Sequence, residues 1–258
     1  MCQIANSICR GMINLINNKF KKEMLYSIVW IIIYFTLVIL ANILSDRIIK
    51  IPNSINALVE IIFPIIVIIF LKRKKLLSYY GINSLKKLEP KNLLYFIPLI
   101  IISLVNLGFG ISVNYSWQQI LLISISMLGV GFSEEILFRG FLMKAIMNKN
   151  PKAAILLPSI IFGIIHLTNI FSGANIVLTI LQVIYATFFA IMCSMFFYKT
   201  NNIIPCMICH SMTNITNVFL PNNLPIEYQC IGCIAFIIPS VFYAWYLYKT
   251  KKSLVKNV

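Results

Sequence analysis

Acidic residues are scarce in this chain: seven Asp and Glu stand against 22 Lys and Arg, and charged residues of both signs make up only 11% of 258 positions. So thin a charged complement excludes a soluble globular domain, because the 60% of residues that are hydrophobic could not be hidden in one core of this size. No stretch rich in Pro, Gly and Ser divides the chain and no internal repeat is visible, so residues 1–258 read as a single membrane domain. The basic excess of +15 lacks the aromatic interleaving that base stacking needs and falls in short clusters between apolar runs, which excludes nucleic acid as a partner and points to membrane topology. The first apolar run, about 25–44, is too long for a signal-peptide core and no small-x-small cleavage pattern follows it, so it reads as a retained helix.

What the chain does have is hydrophobic length, with a mean hydropathy of +0.89. Apolar runs at about 25–44, 53–71, 93–113, 118–147, 152–170, 174–198, 202–220 and 229–248 each approach the ~20 residues that cross a bilayer. The expected fold is therefore all-α, a polytopic bundle of about eight transmembrane helices. Most of the positive charge lies in the N-terminal segment, the 72–91 loop (Lys72, Arg73, Lys74, Lys75, Lys86, Lys87, Lys91), the 144–152 turn, Lys199 and the C-terminal tail. An even number of spans puts all of these on one side, which the positive-inside rule makes the cytoplasm, so both termini are expected there in a multi-pass plasma-membrane protein. The 72–91 segment, with Tyr79 and Tyr80 among lysines, reads as a basic interfacial stretch lying on anionic lipid.

Against this background two acids stand side by side in Ser133-Glu134-Glu135-Ile136-Leu137-Phe138-Arg139-Gly140. An ionisable group at bilayer depth is costly unless paired or beside water, and so marks a functional site by default. On a helix, Glu135 and Arg139 lie at i and i+4 and can pair, while Glu134 is rotated by about 100° toward something else. The chain's two histidines also fall in apolar runs: His166 closes Phe162-Gly-Ile-Ile-His166, and His210 opens His210-Ser-Met-Thr-Asn214. Counted from the bordering lysines at about 1.5 Å per residue, Glu134, His166 and His210 lie about 15, 21 and 16 Å deep, with Asn214 one turn further on the face of His210. One layer of the membrane thus holds all four.

Such a set permits two mechanisms. In one, Glu134 with His166 deprotonates a water that attacks a peptide carbonyl, while His210 and Asn214 donate hydrogen bonds to the oxyanion. In the other, Glu134, His166 and His210 bind zinc, which activates the water; the absence of His-Glu-x-x-His tells against metal. Cys206-x-x-Cys209-His210 and Cys230-x-x-Cys233 fit haem-attachment or zinc spacings, but the two pairs fall at opposite ends of neighbouring spans, so they read as free thiols filling apolar space. Pro98, Pro158, Pro205 and Pro239 are expected to kink their spans, and Gly129, Gly131 and Gly140 to permit close helix approach.

In their order and spacing, Glu134-Glu135-x-x-x-Arg139, Phe162-x-x-x-His166 and His210-x-x-x-Asn214 resemble the three motifs of the CPBP (Abi) intramembrane proteases, the superfamily of the type II CAAX prenyl endopeptidase. The motif-bearing core spans about 118–220. The resemblance implies an eight-helix bundle with an intramembrane cavity opening to the cytoplasm, and endopeptidase cleavage of a peptide or membrane-associated protein arriving from the cytoplasmic side or laterally from lipid. It also implies that Glu134, His166, His210 and Asn214 are catalytic, with Glu135, Arg139 and Phe162 in support. The family is often labelled metalloprotease, and a divalent ion such as zinc stays open beside the metal-free route. Richness in Ile, Lys and Asn suits a low-GC bacterium, where relatives act in peptide maturation or bacteriocin self-immunity. A non-catalytic immunity or scaffold protein, or a small transporter using the buried Glu, His and Asn, is the alternative.

Overall fold

A computed structural model describes residues 2–84 and 94–250, with side chains described from residue 18 onward except Ser172. Lys86, Lys87, Lys91 and the tail lysines beyond 250, like the side chains of Cys2, Cys9 and Arg10, lie outside the described residues. The described residues form eight helices: α1 Cys2–Ile43, α2 Ser54–Arg73, α3 Phe96–Ser103, α4 Trp117–Met147, α5 Pro151–Ile165, α6 Ile176–Thr200, α7 Ile204–Val218 and α8 Ile226–Lys249. α1 runs on into a π-helical turn, Leu44–Ile49, and α4 carries a second one, Ile136–Met143.

Local sequence accounts for the helix starts. Ser116 opens α4 with a reciprocal cap: its hydroxyl accepts from the Gln119 N–H, and the Gln119 side chain accepts from the Ser116 N–H. Asn150 caps α5 through the Ala153 N–H, with Pro151 at the first position, and Asn175 caps α6 through the Leu178 N–H. Pro205 likewise sits in the first turn of α7, so it starts that helix instead of kinking a span; Pro158 and Pro239 do lie inside helices.

Six of the eight helices are long and apolar enough to cross a membrane: Asn18–Ile49, Ser54–Arg73, Trp117–Met147, Pro151–Phe171, Ile176–Thr200 and Ile226–Lys249. The span expected over 93–113 is shorter, a helix ending in the 3-10 turn Val105–Phe109. There Asn106 turns its amide onto the Thr213 carbonyl and the Thr216 hydroxyl of α7, and Gly110 breaks the helix at φ 102°. α7 is the other short element at 15 residues, and it packs against α3.

α4 is central, packed against α2 on one side and α7 on the other, while α5 lies on α6 and α6 on α8. The approach is close because α4 lacks side chains where it crosses its neighbours. A Cβ on Gly129 would stand 2.3 Å from the Glu60 carbonyl oxygen of α2, and one on Gly131 2.6 Å from the Ser211 backbone nitrogen of α7. A Cβ on Gly140 would meet nothing nearer than 3.6 Å.

The lysine-bearing ends assemble at one end of the bundle. The Lys144 ammonium donates to the Asn201 side chain and lies over the Tyr79 and Phe197 rings, and Lys149 lies over Phe20. Tyr79 donates to Glu23; burial first, and then that hydrogen bond and the carboxylate charge, push its hydroxyl well above the usual range. The 79–83 part of the expected interfacial stretch is folded into this end: Tyr80 is buried, and Asn83 exchanges hydrogen bonds with Asn201 and Asn202. Tyr80 finds an aromatic pocket with Tyr26 and Phe141, which a lipid surface would not provide.

Gly131→Leu is expected to cost about 1–3 kcal/mol through forced separation of α4 and α7, whereas Gly140→Ala is tolerated. Thermal unfolding of the two variants in detergent checks the contrast.

Candidate active site

Only the first glutamate of the pair faces open space. Glu134 lines a cavity of ≈ 1010 Å3, whereas Glu135 is fully buried behind it. The helix turns from α to π geometry at Ile136, directly after the pair, and every residue from Ile136 to Met143 is buried. π-helical turns are rare and concentrate at functional sites. Here the turn delivers Arg139 back onto Glu135, with Nη1 3.0 Å from Oε1, in the i,i+4 pairing expected from spacing.

The same Glu135 oxygen holds His210. Nδ1 of His210 lies 3.1 Å from Oε1, and since an ionised carboxylate only accepts, the imidazole donates through Nδ1. Its Nε2 then points toward Glu134, 3.7 Å from Oε2, too far for a hydrogen bond but close enough for charge attraction. His210 is therefore sandwiched between two carboxylates, one orienting it and one across the cavity wall.

His166 is fixed by its own helix. Its Nδ1 lies 2.9 Å from the Phe162 carbonyl, which can only accept, so the proton sits on Nδ1 and the Nε2 lone pair is left for the cavity. Phe162 is the spacer of the site: its ring touches His166 at 5.2 Å and His210 at 5.6 Å between centroids, and the Arg139 guanidinium lies 4.9 Å from it. Arg139 thereby gains a cation–π partner where, besides Glu135, burial leaves it no hydrogen bond among the described residues. Asn214, one turn beyond His210 on α7, lines the cavity with Glu134, His166 and His210. The four candidate catalytic residues, from three helices, thus share one cavity wall.

Sequence reasoning passed over Glu60. It lies in α2, is buried, lines the same cavity, and accepts from the Tyr34 hydroxyl at 2.9 and 3.1 Å. The signal was present, since Glu60 is an acid in the middle of an apolar run, the criterion that singled out Glu134. Among the described residues, Glu60 and Glu134 are the acids lining the cavity, beside His166 and His210.

The cavity opens toward the loops that follow α5 and α7. The cavity's exposed lining includes Ile39 and Asn42 of α1 and Thr168, Phe171, Ala174, Asn175, Asn217 and Tyr228 in the loops after α5 and around α7 and α8, at the end away from Lys144 and Lys199. Toward the lysines the site is closed by side chains that include Leu71, Tyr80, Phe138, Phe141, Phe197 and Ile203.

The group whose spacing suits an ion among the described residues is a different set from the one considered for zinc. Among the described residues, Glu135, Cys193 and Cys206 bring one ligand atom each within 4.8 Å of one another, a spacing that could hold a metal ion, whereas Glu134, His166 and His210 form no such group. That alternative group fits a cation poorly: Glu135 is already neutralised by Arg139, and the Cys206 thiol points at the Cys193 carbonyl. None of its members lines the cavity. Cys209 is buried as well, and Cys193, Cys206, Cys209, Cys230 and Cys233 are all free thiols.

Replacing either partner of the buried pair alone, Glu135→Leu or Arg139→Met, is expected to cost about 3–5 kcal/mol by stranding a charge, and the double replacement less than the sum. A double-mutant cycle on unfolding in detergent measures it.

Residues 116–216 match the family model described as type II CAAX prenyl endopeptidase Rce1-like, a segment that contains every motif residue from Glu134 to Asn214. Comparison with curated proteins gives no match, and neither does comparison with solved structures.

Proposed function

The chain carries a domain of the Rce1-like type II CAAX prenyl endopeptidase family, and from that premise we propose that it is an intramembrane endopeptidase in which Glu134 activates water and His210 with Asn214 receives the oxyanion. The observation that carries the reading is the His210 imidazole held by Glu135 with its second nitrogen turned to Glu134.

The steps follow from the donors and acceptors present. A water between Glu134 and His166 gives its proton to the Glu134 carboxylate, aided by the His166 Nε2 lone pair, and its oxygen bonds to the scissile carbonyl carbon. The carbonyl π electrons move to oxygen. With a proton on each nitrogen, His210 donates to Glu135 through Nδ1 and to the oxyanion through Nε2, joined by the Asn214 amide; Glu134 is neutral once it holds the water proton, so Glu135 and the oxyanion are the two negative charges that balance Arg139 and His210. Collapse reforms the carbonyl and breaks the C–N bond, and Glu134 returns its proton to the leaving amine. Glu135 and Arg139 do not touch substrate in this scheme; they orient His210. A metal-dependent route would need a Lewis acid in the cavity, and the described group whose spacing suits an ion, Glu135, Cys193 and Cys206, lies off the cavity and fits a cation poorly, so no step is drawn through a metal.

The substrate is proposed to be a peptide or a membrane-associated protein segment, in peptide maturation or self-immunity. Glu134→Gln and His210→Ala are expected to lower processing by roughly 10²–10⁴-fold, and Asn214→Ala by roughly 10²–10³-fold, with each variant still folded in the membrane. Mass spectrometry of peptides from cells expressing each form reads the loss. Unchanged products from both Glu134→Gln and His210→Ala identify a scaffold instead. Activity that survives exhaustive chelation supports the metal-free route; abolition restored by zinc supports the other.

A further inference from the structure

We infer that the cavity is reached from the membrane face opposite the lysine-rich end, so that the peptide cleaved is presented on the outer side of the membrane. This rests on the catalytic reading above only for the word cleaved; the direction of access stands on geometry and on the side where the lysines gather.

Three observations converge. The first is where the cationic ends meet. Lys144 bonds to Asn201, Lys149 stacks on Phe20, and the Lys199 ammonium bonds to the Thr250 carbonyl, so α1 and the C-terminal ends of α4, α6 and α8 share one end of the bundle. By the positive-inside rule that end is cytoplasmic.

The second is the seal. From the catalytic glutamates toward those lysines the path is filled by fully buried side chains, with Ile136, Leu137, Phe138 and Met143 each 0% exposed. No residue between 136 and 164 or between 186 and 209 contributes to the cavity wall. Among the described residues, side chains fill the path from the lysine-bearing end past α4.

The third is the character of the other end. The cavity widens from buried Tyr34, Glu60 and His210 to exposed Ala174, Asn175 and Asn217. The opposite loops are tied there by hydrogen bonds from Ser112 to the Phe219 carbonyl and from Asn114 to the Leu220 carbonyl, which brace the rim. The walls between rim and glutamates carry carboxamides, among them Asn106, Asn169, Gln182, Asn214 and Gln229. A carboxamide both donates and accepts, as a peptide unit does, so such a wall suits an extended backbone whose amides have left water. His210 stands beside Glu134, so the unbalanced acid among the described lining residues is Glu60, and near it the cavity disfavours acidic side chains and accepts neutral or basic ones.

Cys233 gives a native probe, since it lines the cavity. In a chain whose other cysteines are replaced by Ala or Ser, a membrane-impermeant maleimide is applied to intact cells and, separately, to permeabilised cells. A second chain carries Lys152→Cys as its sole cysteine, to report the lysine-bearing end. Access from the outer face predicts that Cys233 labels as fully in intact as in permeabilised cells, and that the Lys152→Cys chain labels only after permeabilisation. Labelling of Cys233 only after permeabilisation, or in neither condition, overturns the inference. If the cysteine-depleted chain fails to insert, fragmentation of the labelled wild-type peptide that holds Cys230 and Cys233 reads the two sites separately, Cys193, Cys206 and Cys209 being buried. Labelling does not depend on proteolysis, so a chain open to the outside yet inactive disproves the catalytic reading alone, and an active chain closed to the outside disproves this one alone.

Discussion

One carboxylate oxygen organises the polar interior. Oε1 of Glu135 accepts from His210 at 3.1 Å and pairs with Arg139 at 3.0 Å, and it does so with no exposure to solvent. A lone charge at that depth would be expelled or neutralised, so each member holds its place only because the others are present. The glycines at 129 and 131 let α2 and α7 close on α4 tightly enough for the contact to form, and the π-helical turn brings Arg139 back to the acid. Packing, helix geometry and charge are in this way parts of one constraint.

The constraint also divides the molecule along its length. Below Glu135 the bundle is a dry apolar plug ending in lysines and aromatic rings, and above it the helices part around a cavity lined by amides and acids. Buried charges need a low-dielectric surround to hold a fixed geometry, and a water-activating carboxylate needs the opposite. Side-by-side glutamates on one helix meet both needs: the repeat turns Glu134 to the wet side and Glu135 to the dry one. Phe162 completes the partition by standing between the two histidines and under the guanidinium.

Much of this was legible in the residues, and for a physical reason. In an apolar chain every polar group is conspicuous, so Glu134, His166, His210 and Asn214 could be named from rarity and spacing, and the Glu135–Arg139 pair from the helical repeat. The helices were legible from hydrophobic length, although α3 and α7 came out short because Asn106 and Gly110 end one and Pro205 starts the other late. The Glu60–Tyr34 pair went unread because it joins two helices whose contact no local pattern encodes. Which end of the bundle is filled is out of reach for a related reason: lysine counts orient a bundle in the membrane and say nothing of its packing. The gathering of Cys193 with Cys206, in place of the C-x-x-C pairs, is tertiary in the same sense.

With two histidines in the chain, nitrogen NMR of protein labelled only at histidine tests the organising contact directly. The account predicts that both rings carry a proton on Nδ1, that one of them shows the shift of a strong hydrogen bond to a carboxylate, and that Glu135→Gln alters this ring and leaves the His166 signal in place. A His210 ring without a proton on Nδ1, or one indifferent to Glu135→Gln, would contradict it.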